Sequence, residues 1–150
     1  HLWYSFFLQD FLNCYKHASK WVDLFDQNPN MIYLNPVFFL KGNNYLLESI
    51  YFIRNKPKFI LKLTEFQTTV SDPKFPKGEN VATLVFLYTN FHSINKYFID
   101  GSFTEGLALI PQIEKELIPF SNKIDEHHKM VFYFKFASMH FGAGNNKECI

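Results

Sequence analysis

Apolar side chains recur every three or four positions along nearly the whole chain, and the runs stop only at short clusters of Pro, Gly, Asn and Asp. That spacing stacks the apolar residues on one side of a helix, so it dictates helices rather than strands. Trp3, Phe6, Phe7, Leu8, Phe11, Leu12 and Tyr15 form the first stripe. A break is expected near His17 and Ala18, then Trp21, Leu24 and Phe25 continue as a shorter stripe that Gln27-Asn28-Pro29-Asn30 ends. Asn35-Pro36 reads as N-cap and first turn of a long helix through Phe39, Tyr45, Leu46 and Phe52. Lys56-Pro57 restarts the chain with Phe59, Ile60, Leu63 and Phe66, and segment 71–78, with two prolines and a glycine, is the clearest loop.

The second half repeats the pattern. A stripe over 81–98 stops at Asp100-Gly101, and Ser102-Phe103-Thr104-Glu105 has the spacing of a capping box. Pro111 should kink or split the helix that follows. Pro119-Phe120-Ser121 ends it, and a fourth stripe runs from about 123 to 141 before Gly142-Ala143-Gly144. Asn145-Asn146-Lys147-Glu148 then reads as another helix start. Run 81–88 could be taken for a buried strand, but it continues to Phe98 without a breaker, further than strands usually extend. The expected fold class is all-α, built of helix–turn–helix units at about 1–34, 35–78, 79–122 and 123–150 within one domain, an excerpt of a longer array.

Composition narrows the function classes. Hydrophobic residues make up 47% and charged residues 19%, too apolar a balance for a disordered chain. Nineteen Phe and eight Tyr need many helix–helix contacts, or an aromatic surface held open for a partner. The net charge of +1 carries no basic excess, and the Lys56, Lys58 and Lys62 group is offset by Glu65 and Asp72, so no nucleic-acid partner is expected. No apolar run approaches the ~20 residues of a membrane span, and no signal peptide is visible. With Cys14 and Cys149 read as two free thiols in a reducing compartment, a cytoplasmic location is expected, with no membrane partner.

The aromatic or His residues Phe11, Phe52, Tyr97 and His140 stand 41, 45 and 43 residues apart, each four places before a turn placed at Tyr15, Lys56, Gly101 and Gly144. Tyr4, Tyr45, Asn90 and Tyr133 precede them in the same register, and Lys20, Leu61, Gly106 and Cys149 follow the turns by five places. The segment from Tyr97 through Gly101, Phe103 and Gly106 to Leu107 resembles the heart of a tetratricopeptide repeat: an aromatic, a glycine turn, a second aromatic, then a small residue where the two helices meet. The resemblance covers most of the chain but is specific in this third unit alone, because Lys20 and Leu61 replace the small residue elsewhere. It implies an α-solenoid of stacked antiparallel hairpins in a right-handed superhelix. The period exceeds that family's about 34 residues, which keeps HEAT or armadillo arrays open as the alternative.

In the resembled family, partners lie along the concave face of the first helices. Carried onto this chain, that face comprises Ser5, Gln9, Leu12 and Asn13, then Leu46, Ile50 and Arg54. It continues with Tyr88, Phe91, His92, Asn95 and Phe98, then Val131, Phe134, Ser138 and Phe141. Phe91→Ala is therefore expected to weaken binding more than folding, unless neighbouring repeats cover these aromatics. The Lys and Asn clamp with which some members grip a carboxylate terminus is missing, since Ser5, Gln9, Leu47, Tyr88 and His92 occupy its places.

The expected function is a non-catalytic module for a protein or peptide segment. A peptide-sensing receptor domain coupled to another domain is the alternative, and an enzyme accessory domain using His92, His140 or His127 a third. None of the six histidines stands at His-x-x-x-His or HExxH spacing, and no CxxC occurs, so neither metal nor cofactor is expected. Glu126-His127-His128 points its imidazoles to different sides of a helix, Glu114-Lys115-Glu116 reads as a solvated face, and Gly142-Ala143-Gly144 reads as a turn rather than a phosphate loop.

Overall fold

The structure, a computed structural model, describes residues 1–149, with the side chains of all of these except Trp3 and Cys149. Among the described residues there are helices and turns and no strand. The helices are α1 Leu2–Phe7, α2 Phe11–Gln27, α3 Asn30–Leu34, α4 Pro36–Phe52, α5 Lys56–Ser71, α6 Glu79–Asp100, α7 Phe103–Gly106, α8 Ile110–Leu117 and α9 Glu126–Gly142. Short 3-10 turns occupy Leu107–Leu109, Ile118–Phe120 and Asn146–Cys149. The all-α expectation is met, and run 81–88 lies wholly inside α6. Pro111 sits in the first turn of α8, where its missing amide leaves no helical bond unmade, and the chain is split there as its chemistry requires.

Four turns share one backbone solution. Gln9, Arg54, Gly101 and Gly144 have φ of 56, 57, 70 and 81°, and they stand 45, 47 and 43 residues apart. After each, the next amide reaches back five residues: Asp10 to the Ser5 carbonyl, Asn55 to Ile50, Ser102 to Tyr97 and Asn145 to His140, at 2.9–3.2 Å. This left-handed closure satisfies carbonyls that the ending helix would otherwise orphan. In the first two units the turn is thus earlier than Tyr15 and Lys56, which belong to α2 and α5. His17 and Ala18 do not break α2. The break lies at Gln9, where Asp10 caps α2 by accepting the Asn13 amide at 3.1 Å. Asn55 caps α5 in the same way, accepting the Lys58 amide at 3.2 Å. The expected capping box at Ser102 is not made: its side chain forms no cap bond, nor does that of Asn35.

The chain divides into two compact units, His1–Tyr88 and Thr89–Ile150. In the first, each helix packs on those next to it or next but one in sequence: α1 on α2, α2 on α4, α4 on α5. The α2–α4 approach is close because Gly42 lies under the Trp21 ring, where a Cβ would come within 3.2 Å. Phe11 stacks on Phe52 at 4.3 Å, Phe25 meets Phe39 edge-on at 5.6 Å, and Tyr51 leans on Phe59 at 6.1 Å. Leu40, Leu47, Ile50, Phe59 and Phe66 are fully enclosed, and each such side chain contributes roughly 1.5–3 kcal/mol by leaving water. Cys14 and Ala18 are enclosed too; burial, then the charge of Asp10, pushes the Cys14 thiol up.

In the second unit α7 packs on α9, and Ile94, Ile113, Phe132 and Met139 form the interior. Gly106 lies where a Cβ would come within 2.6 Å of the Met139 sulfur and 3.0 Å of the Tyr97 Cβ, so any larger residue here must displace the end of the buried Met139 side chain. The corresponding place after the first two turns holds Cys14 and Phe59 rather than Lys20 and Leu61. The fourth, Cys149, lies outside the described side chains.

Gly101 is required for a different reason. Nothing lies within 4 Å of a Cβ built on it, but its φ of +70° strains any β-branched residue. Gly101→Val is expected to cost about 2 kcal/mol in urea denaturation, with Gly101→Asn close to wild type. Equal losses for Val and Asn would show that backbone conformation is not what this position selects.

Candidate functional site

The expected binding face divides into enclosed and accessible parts. Leu46 and Ile50 on α4 are buried, because both sides of that helix are covered, by α2 and by α5. Tyr88 is 9% and Phe91 7% exposed, and His92 and Asn95 are also buried. Those six positions are interior in this chain and present no groove. The accessible positions are Gln9, Arg54 and Phe134, while Asn13, Phe98 and Ser138 are half-buried.

Why the α6 positions close follows from their neighbours in the second unit. Phe91 packs on Phe132 at 4.4 Å and stacks with the His128 ring at 6.0 Å. His128 is itself held by Asp125, 2.8 Å from its Nδ1; the His128 amide and ring, in that order, keep the Asp125 carboxyl below the usual range. The Lys135 ammonium donates to Asn95 Oδ1 at 2.6 Å and lies 5.9 Å from the centre of the Phe98 ring. His92 is wholly enclosed; burial, then the positive charge of Lys135, pushes its pKa down to about 3. It is a neutral interior residue, not the groove contact expected. In the first unit burial, then Tyr45 and Glu48, pushes the Tyr88 phenol up to about 12.

Most of the exposed large apolar side chains of this second unit are on α9. Phe132, Phe136 and Met139 face inward, whereas Met130, Tyr133, Phe134 and Phe141 are 57–73% exposed. A helix apolar on both sides has one side too many for the packing it makes. Val131, Phe134, Ser138 and Phe141 follow one another at spacings of three, four and three, so they form a single stripe. The Ser138 hydroxyl is spent on the Phe134 carbonyl at 2.7 Å.

Two surface features leave no mark in the sequence pattern. In the first unit, Trp21, Leu24, Phe25, Asn28, Met31 and Phe38 border an apolar groove of about 440 Å³. It depends on α3, whose five residues are too few to show helical periodicity. In the second unit a cleft is lined by both α8 and α9. Two lysines of the expected charge group are engaged: Lys62 pairs with Glu65 at 2.7 Å, and Lys58 on α5 donates to the Tyr15 hydroxyl on α2.

Among the described residues no helix is long and apolar enough to cross a membrane, and no three His, Cys, Asp or Glu side chains gather where an ion could be held. No family model, curated protein or solved structure matches this chain.

Proposed function

We infer that the chain is a tetratricopeptide-like helical-repeat module that holds a protein or peptide segment on the exposed side of α9, the helix preceding its last left-handed turn. Recurrence of the left-handed turn and packing between sequence neighbours support the repeat reading; HEAT-like arrays share the period, and the glycine turn at Gly101 with Gly106 beyond it favours the tetratricopeptide form. The observation that carries the binding reading is the α9 stripe, where Phe134 is 73% and Phe141 69% exposed three to four residues from polar Ser138. Covering one such ring removes apolar area worth roughly 1.5–3 kcal/mol from water, enough to anchor a helix or extended segment laid along α9.

Selection of displayed random peptides on the immobilised chain tests this reading. Enriched peptides are expected to bind with micromolar Kd and to lose about tenfold or more in affinity on Phe134→Ser, consistent with loss of a buried aromatic anchor. Leu61→Ser on α5, also exposed, should leave them bound with stability unchanged. No enrichment, or peptides indifferent to Phe134→Ser, would sink the reading.

A further inference from the structure

The cleft between α8 and α9 combines apolar walls with two acidic residues. Its volume is about 560 Å³, within the range of sites that enclose a small group. Leu107, Ile110 and Phe136 supply apolar walls, Tyr133 an aromatic one, and Glu114 and Glu148 two carboxylates. His140 also lines it, with an Nδ1 hidden from solvent and without a hydrogen-bond partner. No lysine or arginine is among the lining residues, and among the described residues neither the Glu114 nor the Glu148 carboxylate forms an ion pair or hydrogen bond.

We propose that this cleft receives a basic side chain, lysine or arginine, of the bound segment. Such a side chain has an aliphatic stem that wets poorly and a cationic head that needs acceptors. The stem matches Leu107, Ile110 and Phe136, the head matches the two acidic residues, and Tyr133 adds an aromatic ring to which a cation is attracted. An acidic or neutral polar guest would meet unpaired carboxylates without a compensating donor, and a purely apolar one would strip them of water. Tyr133 belongs to the exposed side of α9 as well, so cleft and aromatic surface adjoin. The assignment rests on the interaction-module reading and adds to it the charge of the partner.

The test uses N-acetyl-L-arginine amide against the isotopically labelled chain, with N-acetyl-L-citrulline amide as its neutral isostere. Saturable amide shifts are expected at Tyr133, Ala137 and His140 with the arginine probe. Binding should be about tenfold weaker for citrulline and for the Glu114→Gln/Glu148→Gln chain, the scale of losing a charge partner. Both glutamates are exposed and unpartnered, so this variant should fold as wild type does. No saturable shift with arginine, equal binding of citrulline, or full binding by the double variant would overturn the proposal. Because no partner segment is involved, the probe can fail while displayed peptides still engage Phe134, and the two readings are separately refutable.

Discussion

Phe91→Ala destabilises this chain by about 3–5 kcal/mol, the loss expected when a buried ring is deleted and its space cannot collapse. Phe91 is 7% exposed, 4.4 Å from Phe132 and stacked against His128, so truncation opens a void between α6 and α9. The effect will appear as a drop in the urea midpoint at unchanged slope. Phe91→Leu, which refills most of the volume, should recover more than half of it. A loss below about 1 kcal/mol for the alanine variant would mean that the ring is surface-like and that α6 does present it to a partner.

Acid is expected to destabilise the chain through His92. With its folded pKa near 3 and the ordinary value of 6.5 when unfolded, only the unfolded chain takes up the proton between those limits. Stability contributed by keeping His92 neutral is complete above about pH 6.5 and falls as the pH drops, by at most about 1.4 kcal/mol per unit, levelling near pH 3. Burial is the main cause and Lys135 the second, so added salt should change the slope little. Comparing urea midpoints of wild type and His92→Leu between pH 7 and pH 4 isolates the contribution: the leucine chain should fall less steeply. Parallel curves would show that His92 does not titrate with unfolding.

How far the sequence could be read depends on which signals were local. The helical spacing in 81–98 and the stop at Gly101 both survive in the fold, because glycine at positive φ and apolar periodicity act within one turn of chain. Gln9 and Arg54 adopt the same left-handed geometry with no such marker, so the sequence spacing puts the first two turns too late and the small-residue position at Lys20 instead of Cys14. Site positions fared differently because exposure is a tertiary property. Phe91 and Phe134 are both aromatics on long helices; packing against Phe132 and His128 makes one interior, while nothing among the described residues covers the other to that degree. Glu114 and Glu148 are 34 residues apart, and no spacing rule could have paired them at one cleft.

The left-handed closures also bear on kinetics. Each is sealed by a bond spanning five residues, so a hairpin can lock before distant parts of the chain have met. Order of that kind accumulates piecewise, which favours rapid folding and lets one hairpin melt while its neighbours hold. At Gln9 and Arg54 the lock is formed by residues that resist the required φ, so the His1–Tyr88 half carries two weaker fastenings than the glycine-sealed turns at 101 and 144.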